Sequence, residues 1–222
     1  IKVSGDNSYV HNNQLSSDYF VVSDVCRGCY NIYSENSISD YGIGFNIQYG
    51  GRAGGYKMFT LNTLTNSYGV GMAFAESYDS EGIGYIRYGH NTVNGCELGF
   101  KVVGDYSCLT NNEVTNCSYG YQIRGNGVQL DSNKATSTQT QKVGAGFTIE
   151  SDHVWLGGRS ENFDRFFECG AVGQNIADGF GYGFVFNKFS YTLKENTATA
   201  CVARHHRQRD PGNQPPAPDA HH

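Results

Sequence analysis

Proline is nearly absent from this 222-residue chain: all four, Pro211, Pro215, Pro216 and Pro218, fall within the last twelve residues. A long body that excludes proline needs almost every backbone N–H for pairing, as a sheet does. One tryptophan, two methionines and a scarcity of strong helix formers argue against a helical bundle. No apolar run approaches the ~20 residues of a membrane-spanning helix. Basic stripes are missing too. The net charge is −5, and without the final segment's three arginines and two aspartates the body carries 13 basic against 19 acidic residues, or −6. Duplex nucleic acid is therefore a poor partner. The sequence starts at Ile1 with neither a methionine nor a signal-peptide pattern, and the first repeat is under way by Val10. A trimmed or mature segment is expected, with an open end that invites end-to-end association or continuation in a larger chain.

What is present is glycine (29), tyrosine (16) and phenylalanine (13) among many Asn, Ser and Thr, a composition suited to short strands and tight turns. An asparagine recurs at Asn13, Asn36, Asn62, Asn91, Asn112, Asn133, Asn162 and Asn196. Three positions before it stand Val10, Tyr33, Phe59, Tyr88, Leu109, Leu130 and Leu193, and two positions after it Leu15, Ile38, Leu64, Val93, Val114, Ala135 and Ala198. Arg159 breaks the first column, and a loop insertion near Gly157-Gly158 is inferred. A third inward column is read as Phe20, Ile43, Val70, Phe100, Tyr121, Phe147 and Phe184, alternating with Val22, Phe45, Met72, Val102, Ile123, Ile149 and Phe186. Single coils of this kind cannot bury their apolar face alone, so equivalent side chains stack coil on coil. The expectation is an all-β solenoid, a parallel β-helix of about eight coils and three strands per coil, over residues 1–201. The asparagines would form a ladder in the bend between the second and third strands, and residues 202–222 a disordered Pro- and His-containing tail.

These columns resemble the right-handed parallel β-helix repeats of the pectin-lyase-like superfamily. The resemblance covers roughly residues 1–201. It implies an architecture shared by pectate lyases, polygalacturonases, alginate lyases, mannuronan epimerases, phage tailspikes and non-enzymatic surface proteins, so it does not choose an activity. The paired-aspartate, Gly-His-Gly and Asp-Pro-His-Asp signatures of those enzymes are absent. Ser151-Asp-His-Val-Trp-Leu156 is similar to a pectate-lyase segment only in a different order.

The superfamily places its sites on the outer face of the first, glycine-marked strands. Charge gathers there in the middle coils, at Lys101, Arg124 and Glu150, with Gln122 between them. Lys101 or Arg124 suits neutralisation of a uronate carboxylate, which makes the C5 proton easier to remove. His153, or Tyr106 once ionised, suits the base of a lyase or C5-epimerase. Glu150 or Asp152 would orient His153, or Glu150 would pair with Arg124 as an ordinary surface ion pair. Tyr106 and Trp155 are candidate platforms for a sugar face. No metal site is expected from these residues. Glu76, Asp79 and Glu81 admit a calcium loop or a solvated acidic loop.

Of seven cysteines, Cys96 and Cys117 lie five places after successive ladder asparagines. They stack at about ~4.8 Å, inside the range a disulfide tolerates; a disulfide and a reduced stack both remain open. Cys26-Arg-Gly-Cys29 reads as a loop disulfide more than as half a zinc site. Taken together, these features lead to an expected extracellular or cell-surface β-helix that recognises a polysaccharide or other glycan. Lyase or epimerase activity on uronates is an open extension, and the alternative is a non-catalytic structural or adhesion solenoid within a larger surface protein.

Overall fold

The computed structural model describes residues 1–26, 30–50, 57–65, 71–77, 84–151, 154–156, 174–187, 191–193 and 195–207; for 155, 191–193 and 204–207 the backbone alone is described. Coil one holds β1 (Lys2–Val3), β2 (Tyr9–His11) and β3 (Gln14–Asp24), and coil two β4 (Asn31–Ser34) and β5 (Ser37–Ile47). Coil three holds β6 (Lys57–Thr60), β7 (Thr63–Thr65) and β8 (Met72–Glu76); coil four β9 (Ile86–Gly89), β10 (Thr92–Asn94) and β11 (Leu98–Val102). Then come β12 (Cys108–Thr110), β13 (Glu113–Thr115) and β14 (Tyr119–Ile123), followed by β15 (Gln129–Asp131), β16 (Lys134–Thr136) and β17 (Ala145–Ile149). The last two coils are β18 (Val154–Leu156), β19 (Ile176–Asp178) and β20 (Tyr182–Phe186), then β21 (Tyr191–Leu193), β22 (Thr197–Thr199) and β23 (Ala203–Arg207).

Every pairing is parallel and joins a strand to its equivalent in the next coil, which makes the chain an all-β parallel solenoid. From coil three onward there are six coils with three separate strands; in the first two, the third and first strands run on as the single 11-residue strands β3 and β5. The expected eight coils thus comprise six complete three-stranded turns and two of simpler build. Pairing also passes the expected boundary at residue 201, because β23 pairs with β20 from Ala203 to Arg207. Residues 208–222 lie outside the described residues.

The ladder is explicit. Each asparagine Nδ2 donates to the next rung's Oδ1 at 2.9–3.0 Å, from Asn13 through Asn36, Asn62, Asn91, Asn112 and Asn133 to Asn175 and Asn196. The same Oδ1 accepts the backbone N–H of the preceding rung, as at Asn91 N to Asn112 Oδ1, 3.1 Å. The second amide hydrogen goes to a main-chain carbonyl, as from Asn112 to Tyr88 O at 2.9 Å. One side chain therefore satisfies a buried bend that no sheet bond could reach. Just before the rung the chain turns through left-handed residues: Glu35 (φ 55°), Leu61 (57°), His90 (55°), Asn111 (54°) and Ser132 (57°). Without the ladder these non-glycine conformations would be unfavourable.

Two readings are corrected. The seventh rung is Asn175, not Asn162, and Leu156 rather than residue 159 fills the apolar column, in register with Leu130 and Leu193. The insertion placed near Gly157-Gly158 therefore separates the column residue from its asparagine. The first-strand column is also displaced, by two residues in coils one and two and by four in coil three: Val22, Phe45 and Phe74, not Phe20, Ile43 and Val70, align with Phe100. Phe20 is 49% exposed, whereas Val22 and Phe45 are buried.

Packing follows the columns. Phe45, Phe74, Phe100, Tyr121, Phe147 and Phe184 stack along the axis with centroids 4.5–5.1 Å apart and planes within 10°. Tyr33, Phe59 and Tyr88 form a second stack, met edge-on by the first. The first-strand glycines serve close approach: a Cβ on Gly120 would lie 2.4 Å from Gly146 O and 2.8 Å from the Ala135 Cβ.

Candidate functional site

First strands β11, β14, β17 and β20 are in register at Lys101, Gln122, Thr148 and Val185, so these residues form one outward column. Backbone bonds from Arg124, Glu150 and Asn187 to the preceding coil continue the sheet into a second column. The Glu150 carboxylate joins the two: its Oε1 accepts Gln122 Nε2 at 2.8 Å and its Oε2 accepts Arg124 Nε at 2.5 Å. Arg124 and Glu150 are about one-third and one-quarter exposed, so solvent screens the pair and holds its worth under ~1 kcal/mol. Of the two roles open to Glu150, the geometry gives the pairing with Arg124. Lys101 stands one strand from Gln122 and is half-buried.

Beyond this strand pair the chain turns through Asp105, whose Oδ1 accepts Asn126 N at 2.7 Å. Tyr106 follows with φ 57° and an exposed ring. That ring stacks on Tyr85 at 5.4 Å and covers Gly127, where an added Cβ would lie 2.6 Å from Tyr106 Cδ1. The turn thus presents two stacked tyrosines beside a Gln–Glu–Arg network. His153 and Asp152 lie outside the described residues. The backbone of Trp155 runs in β18, between Gln129 and Thr192 in the eight-stranded sheet, a different sheet from Lys101, Gln122 and Arg124.

Glu76 is not on a solvated loop. It ends β8, is buried, and accepts Tyr88 Oη at 2.7 Å on Oε1 and the N–H groups of Val103 and Gly104 at 2.7 and 2.6 Å on Oε2. Its carboxylate is committed to the fold; Asp79 and Glu81 lie outside the described residues. Among the described residues no group of three or more His, Cys, Asp or Glu is arranged to hold a metal ion.

Sequence reasoning missed a buried ionic cluster beside Glu76. Lys57, wholly buried, donates to Asp24 Oδ1 at 2.8 Å and to the carbonyls of Cys26 and Tyr49 at 2.7 and 2.5 Å, so all three ammonium protons are used. Asp24 also accepts the Tyr33 hydroxyl at 2.6 Å and Asn31 Nδ2 at 3.3 Å. Burial pushes the Lys57 ammonium below its usual value against the attraction of Asp24, and pushes Glu76 above the usual carboxylate range against its hydrogen bonds from Gly104, Tyr88 and Val103. The signal was in the strand alternation, since Asp24, Lys57 and Glu76 each stand two residues from an inward Val22, Phe59 or Phe74. These groups anchor the bend between first and second strands.

Cys26 and Cys108 are disulfide-bonded, while Cys96, Cys117 and Cys201 are free thiols. Among the described residues no helix is long and apolar enough to cross a membrane. The third-strand outer face carries hydroxyls at Ser37, Thr63 and Thr92, but the Glu113–Lys134 ion pair interrupts that column. What these features define is a parallel β-solenoid with a polar, tyrosine-flanked outer face. No family model, curated protein or solved structure matches the chain.

Proposed function

We propose that this is an extracellular, pectin-lyase-like β-helix that binds acidic polysaccharide along the outer face of its middle first strands. The observation that carries the reading is the Gln122–Glu150–Arg124 network, held across adjacent strands beside the Tyr85–Tyr106 stack. Planar amide, carboxylate and guanidinium groups offer paired donors and acceptors to vicinal hydroxyls, and tyrosine rings accept sugar faces. Lys101 adds positive charge for a uronate carboxylate. Oxidised Cys26 and Cys108 support a secreted location, since such bonds persist outside the cytosol.

Binding is favoured over catalysis because the Arg124 charge is already matched by Glu150. Lyase or C5-epimerase action is the second reading; it would draw on Lys101 for the carboxylate and on His153 or Tyr106 for the proton.

Calorimetric titration with uronate oligosaccharides, beside neutral ones of equal length, tests the proposal. Lys101→Ala should weaken uronate binding about tenfold, equivalent to ~1.4 kcal/mol, and Glu150→Gln should strengthen it by unmasking Arg124. Absence of uronate binding by folded protein, or an unchanged affinity in Lys101→Ala, would overturn the assignment. Proton NMR of the polysaccharides, with and without calcium, separates the readings: new unsaturated ends or inverted uronates would make the protein an enzyme.

A further inference from the structure

Cys96 and Cys117 occupy equivalent turn positions in adjacent coils, just after β10 and β13. Their sulfurs are 2.7 Å apart, and Cys96 N–H donates to Cys117 Sγ at 3.2 Å. The flanking main chain is tied by Gly95 N to Thr115 O at 3.0 Å and Ser118 N to Cys96 O at 3.3 Å, so neither residue must swing to reach the other. Both side chains belong to the buried core; Cys96 is 8% exposed and Cys117 fully enclosed. A disulfide needs an S–S distance of about 2.05 Å and a Cα separation of about 4.4–6.8 Å, and parallel neighbours about 4.8 Å apart meet the second condition.

We propose that Cys96 and Cys117 are oxidised to a disulfide that staples the fourth coil to the fifth, with a small-molecule or protein disulfide as oxidant. The chemistry balances as thiol–disulfide exchange. Cys96, the less enclosed residue of the two, first forms a mixed disulfide with the oxidant and releases one thiol. Cys117 then attacks the Cys96 sulfur as thiolate, expels the second thiol and closes the bond. Two protons leave the protein and the oxidant takes up two electrons. The geometry suits the closing step, because the Cys96 backbone N–H donates to Cys117 Sγ and is still there to stabilise its thiolate once the Cys96 sulfur has reacted. In the reduced pair the contact between the two thiols, with the Cys96 N–H, holds the Cys117 thiol below its ordinary range, while that contact and burial push Cys96 up.

The bond would close a loop of 21 residues, long enough to raise the melting temperature by roughly 5–10 °C in a chain of this size. Cleavage after glutamate makes the test direct, since it puts Cys96 in Gly82–Glu97, Cys108 in Leu98–Glu113 and Cys117 in Val114–Glu150. The full chain is equilibrated with oxidised and reduced glutathione, alkylated at acid pH, digested and mapped by mass. The expected result is a cross-linked pair of Gly82–Glu97 with Val114–Glu150, and an oxidation-dependent rise in melting temperature that disappears in Cys96→Ala. Wild-type mapping needs no variant to fold. Alkylation of both Cys96 and Cys117 after full equilibration would overturn the proposal, as would a bond from either to Cys201.

Discussion

Replacing Asn112 by alanine deletes the centre of the ladder without disturbing a left-handed residue, because the turn is made by Asn111. Four side-chain bonds go: those accepted from Asn91 N and Nδ2, and those donated to Tyr88 O and Asn133 Oδ1. Asn133 Oδ1 keeps the Asn112 backbone N–H. The buried Asn91 N–H and one Asn91 amide hydrogen are left without partners, and at ~1–2 kcal/mol each the loss is about 2–4 kcal/mol. Asn13→Ala is the control. Among the described residues its Oδ1 accepts nothing and only its donations to His11 O and Asn36 Oδ1 are lost, so about 1 kcal/mol is expected. Urea unfolding followed by circular dichroism gives both values. Hydrogen exchange should place the Asn112→Ala loosening at the Asn91 and Tyr88 bends, since a solenoid opens coil by coil. Equal costs for the two variants would refute the claim that stacked amides hold these bends.

Glu76→Gln should show the sign of its titration. A carboxyl whose folded pKa is raised gives stability that is present below the unfolded value and lost as pH rises through the folded one. The wild type should therefore gain on Glu76→Gln as pH falls toward the ordinary carboxylate value, in denaturation curves taken at several pH values; the opposite slope would mean that Lys57 and the hydrogen bonds from Gly104, Tyr88 and Val103 outweigh burial. Gly127→Ala combines φ 66° with a contact 2.6 Å from the Tyr106 ring. It should cost about 1–3 kcal/mol and displace the ring, which the Tyr85–Tyr106 near-ultraviolet dichroism would register. Leu61→Asn replaces an exposed leucine at φ 57° by a residue that tolerates the conformation, and thermal unfolding should show a gain of about 1 kcal/mol.

Legibility in the sequence was uneven for physical reasons. The ladder and the two columns beside it repeat at fixed distance from an asparagine, because the bend that places it is the same in every coil. Asn175 escaped because 42 residues separate it from Asn133, while Asn162 stood at an ordinary spacing. Anchoring the first-strand column on glycine rather than on the ladder moves it by two residues in coils one and two and by four in coil three. From rung to core column the count is nine in Asn13–Val22, Asn36–Phe45, Asn91–Phe100, Asn112–Tyr121 and Asn175–Phe184. That regularity also turns Asp24 inward, two places after Val22; it does not reach Glu76, since Asn62 and Phe74 are twelve apart, or Lys57, which precedes its rung. At the outer face, the strand period brought Lys101, Gln122, Arg124 and Glu150 together. It could not say that Glu150 would meet Arg124 and Gln122, since a rotamer and not a register decides that contact.

The column of rings from Phe45 to Phe184 has a consequence for how such a chain can change length. Each ring must rest on the last at one interstrand step, so a residue gained or lost inside a strand would turn the following side chains inside out and break the stack. Residues added at a turn leave the column untouched, however many they are. The path from Leu156 to Asn175 is such an addition, and Leu130, Leu156 and Leu193 remain in register across it. Growth of this protein is therefore quantised along its axis and unrestricted around its rim, and new recognition surfaces can be grafted at the bends without renegotiating the core.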